Sequence, residues 1–168
     1  MNIKTRGFAC VGLVDPKTPE NIGGVMRAAH AYGVAQVNIQ GARAKALNHP
    51  TNTPKAHRHT PTFLLSDVLD YVPHDTQVVA VELIPSAISL TSFKHPERAI
   101  YLFGPENGDL GGNVTNRADH IVYVPTRSCM NLAATVNVVL YDRMAKSGDF
   151  GAPFGGPTLP IYTRGHKP

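Results

Sequence analysis

The chain has 168 residues, of which 42% are hydrophobic, and a formal net charge of +4. That length suits a single domain with a proper core, and no apolar run approaches the ~20 residues that a membrane helix needs. Two cysteines, Cys10 and Cys129, make neither a disulfide framework nor a zinc site.

The N-terminus, MNIKTRGF, is positively charged but has no apolar h-region. The sequence therefore predicts a cytoplasmic protein without a signal peptide. The distribution of charge says more than its sum. No carboxylate occurs between Glu20 and Asp67, an interval that holds Arg27, Arg43, Lys45, Lys55 and Arg58 together with His30, His49, His57 and His59. Such a stretch favours a polyanionic partner. A solvated loop that happens to lack acids is the alternative.

In chain order, Phe8 to Val14 is a continuous apolar run, the mark of a central parallel strand covered on both faces, with Cys10 as a small core residue. A loop to Pro19 leads into a helix from Asn21 to Tyr32. Its apolar stripe is Ile22, Val25, Met26, Ala29 and Tyr32, and Gly33 is its C-cap. Arg27 has Gly23 and Gly24 at i−4 and i−3. Helical side chains lean toward the N-terminus, so its guanidinium is expected to lie over bare backbone near the loop after the first strand. A surface Arg needs no such clearance, which favours a functional reading.

Val34 to Ile39 reads as a second strand. From Gly41 to Pro61 the chain is irregular, broken by Pro50, Pro54 and Pro61. Phe63 to Val72 reads as a helix, Gln77 to Leu83 as a third strand and Ala99 to Phe103 as a fourth. The last of these ends at Gly104-Pro105-Glu106-Asn107-Gly108, a turn whose glycines allow close backbone approach by a ligand. A final strand, His120 to Val124, is closed by Pro125. The polar loop Thr126 to Cys129 follows, and then a helix capped by Asn131. Ala133 and Ala134 leave room for another backbone beside its first turn. The helix carries few charges before Asp142 and Arg143, so it is buried, either in the core or against a second subunit. A Gly- and Pro-rich tail, 147–168, ends the chain.

Alternating strands and helices predict an α/β fold: one largely parallel sheet with helices on both faces, in a single domain over 1–168. Loop amides and a helix N-terminus after a strand form a common ligand site in such folds. Neither G-x-G-x-x-G after the first strand nor a P-loop is present, which argues against a standard NAD enzyme or nucleotidase.

Three segments together carry a resemblance: Asn21-Ile-Gly-Gly-Val-Met-Arg27-Ala, Leu102-Phe-Gly-Pro-Glu106-Asn-Gly-Asp-Leu110, and Val124-Pro125 with Met130-Asn131-Leu132. In this order and spacing they resemble the SpoU/TrmH branch of the SPOUT RNA methyltransferases, over roughly residues 8 to 146. The form is the minimal one, similar to the tRNA wobble-nucleotide 2′-O-methyltransferases, with no separate RNA-binding domain. The resemblance implies a deep trefoil knot in the C-terminal part, S-adenosylmethionine bound in it without metal, and a homodimer formed through the first and last helices. It also implies a 2′-O-ribose methyltransferase acting on tRNA, with rRNA as the alternative substrate.

Carried over by position, the cofactor would meet Val81, Gly104, Val124, Cys129, Asn131 and Leu132. Asn21, Arg27 and Glu106 would face the methyl group and the RNA. Arg43, Lys45, Lys55 and Arg58 are the expected phosphate contacts. Two departures stand out: Cys129-Met130-Asn131 where the family has Ser-x-Asn, in a shorter loop, and Gly108 one position early, with Asp109 before Leu110. Glu106 is expected either to orient Arg27 or to be an ordinary turn residue. Two rival readings remain, a nucleophilic Cys129 activated at a helix N-terminus and an RNA-binding module without catalysis.

Overall fold

A computed structural model of the chain describes residues 7–41 and 58–147. Its centre is β1 (Phe8–Val14), whose last five residues are all buried. β1 pairs with β2 (Gln36–Gln40) on one side and with β6 (Arg98–Phe103) on the other, both in parallel. Beyond β2 lies β3 (Thr62–Leu65). Beyond β6 come β4 (Gln77–Val81), β7 (His120–Tyr123) and the two-residue β5 (Ile88–Ser89). The seven-stranded sheet thus has the order β3-β2-β1-β6-β4-β7-β5, and every pairing is parallel.

Among the described residues, two helices cover one face. α1 (Pro19–Ala31) and α3 (Leu132–Ser147) pack on each other and on the sheet, joining Val25, Met26 and Ala29 to Val136, Val139 and Leu140 in one apolar cluster with Val11 and Tyr101. Gly24 makes this close approach possible, because a Cβ there would stand 2.7 Å from the Cβ of Ala133. The bare backbone ahead of Arg27 is therefore occupied at Gly24 by the first turn of α3, rather than kept clear for the guanidinium. Val136 and Leu140 face the protein's own core, which decides between the two burial modes expected for their side of α3.

The other face is thinner. Cys10, Ile100 and Leu102 are covered there by Val68, Leu110 and Val114, contributed by turns and by the four-residue helix α2 (Gly112–Thr115). Burial pushes the Cys10 thiol up to about 11, as expected of a small core residue.

The expected helix from Phe63 to Val72 does not form. Thr62 to Leu65 instead join the sheet at its edge, in register with Val37 to Gln40. The residues after them are held in turns by polar partners. Gln40 Oε1 accepts the Val68 amide at 3.0 Å, and Asn38 Nδ2 donates to the Val68 carbonyl at 2.8 Å. Asp67 and Asp70 satisfy local amides as well, the competition that disfavours helix around such residues.

Candidate active site

Because β6, β4 and β7 are parallel neighbours, their C-terminal ends at Phe103, Val81 and Tyr123 share one edge of the sheet. The segments leaving them enclose a cleft of about 450 Å³. β4 contributes Val81, Glu82 and Leu83; the turn after β6 contributes Gly104, Pro105, Glu106 and Gly108; β7 and its loop contribute Tyr123 to Met130. Leu132 and Thr135 of α3 complete the lining. Of the six residues expected at the cofactor, Val81, Gly104, Val124, Cys129 and Leu132 lie on this cleft and Asn131 does not. The backbone is tight around Gly104, where a Cβ would stand 3.1 Å from the Leu110 nitrogen.

Asn131 has a different task. Its Oδ1 accepts the amides of Ala133 and Ala134 at 2.9 and 3.3 Å, capping α3 as its sequence position predicts. Its Nδ2 donates to Asn21 Oδ1 at 2.7 Å. Asn21 Nδ2 in turn donates to Glu106 Oε1 at 2.6 Å. Glu106 also accepts the amides of Lys17 and Thr18, at 2.9 and 3.1 Å, and the Thr18 hydroxyl at 2.9 Å. Thr18 is the N-cap residue of α1 but makes no side-chain cap of its own; Glu106, from another element, instead holds the two residues just ahead of the helix. Desolvation pulls the Glu106 pKa up. Hydrogen bonds from Asn21, from the Lys17 amide and its own, and from Thr18 outweigh that and hold it at about 2.

One hydrogen-bonded chain therefore joins the start of α1, the turn after β6 and the start of α3. Arg27 stands outside it, on the exposed side of α1. The cleft lining does not include Arg27. Both Glu106 oxygens are engaged elsewhere, so Glu106 orients the start of α1 and not the guanidinium. Arg58 is exposed. Next to it the His59 ring lies 5.6 Å from that of His30, one turn beyond Arg27 on α1. The end of the basic segment thus meets the helix that carries Arg27. Arg43, Lys45, Lys55 and the tail lie outside the described residues.

Sequence reasoning missed Glu82. Its Oε2 accepts the Leu110 amide at 2.7 Å and its Oε1 the Leu83 amide at 2.9 Å, fastening the end of β4 to the turn after β6. The available signal was a single acid closing an otherwise apolar strand. Leu83 and Arg127, both exposed on the cleft, were missed as well. Cys129 is exposed on the cleft, but among the described residues no His lines it, so they do not build the constellation that a Cys–His nucleophile requires. Among the described residues no group of three His, Cys, Asp or Glu could hold a metal.

The sequence matches the model of the SpoU rRNA Methylase family over residues 9–141. The chain belongs to the SpoU rRNA methylase family. Comparison with curated protein sequences gives no match. Among solved structures, the SpoU methyltransferase AviRb of Streptomyces viridochromogenes superposes with a TM-score of 0.73 at 21% identity, covering 85% of this chain and 62% of that one. An rRNA methyltransferase of Sinorhizobium meliloti gives 0.74 at 20% identity, covering 84% and 57%. The SpoU chain described here thus spans less than two thirds of the length of either protein. A third structure, from work on 2-OH methylation of C/U34 on tRNA, gives 0.70 at 22% identity and is covered over 94% of its length, against 87% of this chain. At these identities the likeness concerns the fold.

Proposed function

We propose that this SpoU family member is an S-adenosylmethionine-dependent RNA 2′-O-methyltransferase acting on tRNA, with no metal. The observation that carries the reading is the cleft at the ends of β4, β6 and β7, lined by parts of the second and third motifs and tied to the first through Asn21. Its volume falls in the range of small-molecule sites. Apolar Val81, Phe103 and Leu132 line it together with the carboxylates of Glu82 and Glu106, a donor set that fits a nucleoside bearing a cationic sulfonium. AviRb and the Sinorhizobium meliloti enzyme have both been solved with AdoMet. Val81, Gly104, Val124, Cys129 and Leu132 would hold it here.

Bound there, S-adenosylmethionine supplies an electrophilic methyl group on a sulfonium. The chain's own contribution is positioning and charge stabilisation. The Arg27 guanidinium stays protonated, so it is not the base. It holds the phosphate beside the target ribose and stabilises charge developing on the 2′-oxygen, whose proton leaves to that phosphate or to water. Asn21 and Glu106 fix the start of the helix that carries Arg27. Arg58, with Arg43, Lys45 and Lys55, supplies further phosphate contacts.

For tRNA speaks the tRNA-methylation structure that this chain covers almost from end to end, and rRNA is the second reading because of the family's own description. The proposal includes a trefoil-knotted C-terminal part, a homodimer and a cytoplasmic location. Exposed Val138 and Tyr141 on α3 support the dimer, and among the described residues no helix is long and apolar enough to cross a membrane. Calorimetric titration with S-adenosylmethionine, together with a 2′-O-methylation map of total RNA from a deletion strain, tests the reading. A methyl missing from one tRNA nucleotide supports it, and one missing from rRNA replaces the substrate. Failure to bind the cofactor leaves an RNA-binding module.

A further inference from the structure

The cleft contains one feature that the reading above does not use. Among the described residues its lining includes two carboxylates, Glu82 and Glu106, and a single basic side chain, Arg127. Both carboxylates are held by backbone amides, Glu82 by Leu110 and Leu83 and Glu106 by Lys17 and Thr18. Among the described residues neither carboxylate pairs with Arg127, and Arg127 has no other ion pair or hydrogen bond there. Thr126 Oγ1 donates to the Ser128 carbonyl at 2.8 Å, closing the loop on either side of Arg127. The guanidinium is thus an exposed fork on the cleft wall, and its natural complement is a carboxylate or phosphate oxyanion. Arg117 shows the contrast: it spends its fork on Asp67 in two bonds, at 2.8 and 3.0 Å.

We propose that Arg127 is an oxyanion-binding residue of the cleft, distinct from Arg27, gripping either the cofactor's amino-acid carboxylate or a phosphodiester of the RNA. The proposal rests on the methyltransferase reading and adds a residue to it. Both sources present one negative charge spread over two oxygens that a guanidinium fork can meet in parallel, and one set of binding measurements separates them.

The full-length chain, with Arg127→Ala and Arg127→Lys, is titrated with S-adenosylmethionine and with its decarboxylated form, which keeps the sulfonium and lacks the carboxylate. RNA binding is measured across a salt series. If the carboxylate is the ligand, Arg127→Ala weakens S-adenosylmethionine about tenfold and leaves the decarboxylated form unchanged. If a phosphate is the ligand, both cofactor forms bind as before and the salt slope for RNA falls by about 0.7 to 0.9. Arg127→Lys retains part of either effect, since it keeps the charge and loses the fork. Unchanged cofactor affinity and an unchanged salt slope in Arg127→Ala overturn the assignment of Arg127 alone. A wild-type chain that binds no S-adenosylmethionine overturns the methyltransferase reading instead.

Discussion

Asn131 Nδ2 donates to Asn21 Oδ1 across 2.7 Å, joining residues 110 positions apart. The polarity of this contact is forced from one end. Asn131 must turn its oxygen toward the amides of α3, so its nitrogen faces Asn21, whose oxygen must therefore face back and whose nitrogen meets Glu106. Each amide has one donor end and one acceptor end, so the direction set at α3 passes through two side chains to a carboxylate.

Asn21→Asp keeps the shape and reverses the polarity toward Glu106. Two carboxylates would then share one hydrogen-bond site, which raises the pKa of one of them. The expected loss is about 1–3 kcal/mol of stability at pH 7, partly recovered in the double variant Asn21→Asp with Glu106→Gln. Urea unfolding of the four proteins of the cycle measures it. Additive single effects would show that the chain of bonds does not act as a unit.

Glu106 also sets an acid limit. Its folded pKa, about 2, lies below the ordinary 4.5. The stability it contributes is therefore fully present above pH 4.5 and is lost as pH falls toward 2. Thermal unfolding of wild type should show this slope, and Glu106→Gln should flatten it while lowering the melting temperature at pH 7.

A second titrating group lies at the opposite end of β6. His95 shares its ring nitrogens between the Tyr101 hydroxyl at 2.7 Å and Asp142 at 2.8 Å, while Arg143 donates to the same hydroxyl at 3.0 Å and Lys146 pairs with Asp142 at 2.7 Å. Burial lowers the His95 pKa below 6.5, against the pull of Asp142 and with the help of Arg143 and Lys146. The unfolded chain then takes up this proton first. Stability is present above pH 6.5 and declines as pH falls below it, by at most about 1.4 kcal/mol per pH unit. Melting temperatures at pH 7.5 and 5.5 should differ less in His95→Gln than in wild type. An equal difference would remove His95 from the balance.

Much of this was legible in the sequence because single residues announced it. The apolar runs at Phe8 to Val14 and Ala99 to Phe103 could only be buried strands, and Asn131 before Leu132 declared a cap. The segment from Phe63 to Val72 misled because its apolar spacing suits a helix. Its fate is decided by Gln40 and Asn38 on another strand, which hold Val68 from both sides. The Glu106 contacts were illegible for the same reason. A carboxylate in a turn says nothing about which amides 88 or 89 residues away will meet it.

Arg27 and Arg58 should fail differently. Arg27→Ala is expected to lower turnover at saturating RNA by roughly 10²-fold, as for loss of a group stabilising transition-state charge. Arg58→Ala should raise the apparent KM for RNA with turnover nearly unchanged. Cofactor affinity should hold in both. Single-turnover methylation against RNA concentration is the measurement, and an effect of Arg27→Ala on RNA affinity alone would make it one more phosphate contact.

The two faces of α3 also separate by substitution. Val136 is fully buried and Tyr141 is 56% exposed. Val136→Asp should prevent folding, because an unpaired carboxylate in the core is not tolerated. Tyr141→Asp with Val138→Asp should leave a folded chain that has lost self-association, as read by sedimentation. A folded double variant that remains dimeric would sink the α3 interface.

The hold of Glu106 on the entry to α1 has a temporal side. As the chain leaves the ribosome, α1 emerges long before the turn that satisfies the amides just ahead of it, which follows 88 and 89 positions later. Asn131 comes later still. Until then those amides are left to water, and the helix start has no fixed direction. Contacts of such long range make for slow closure. For most of its synthesis the nascent chain therefore holds only the first motif, and it acquires the cleft only when α3, which follows the third, docks.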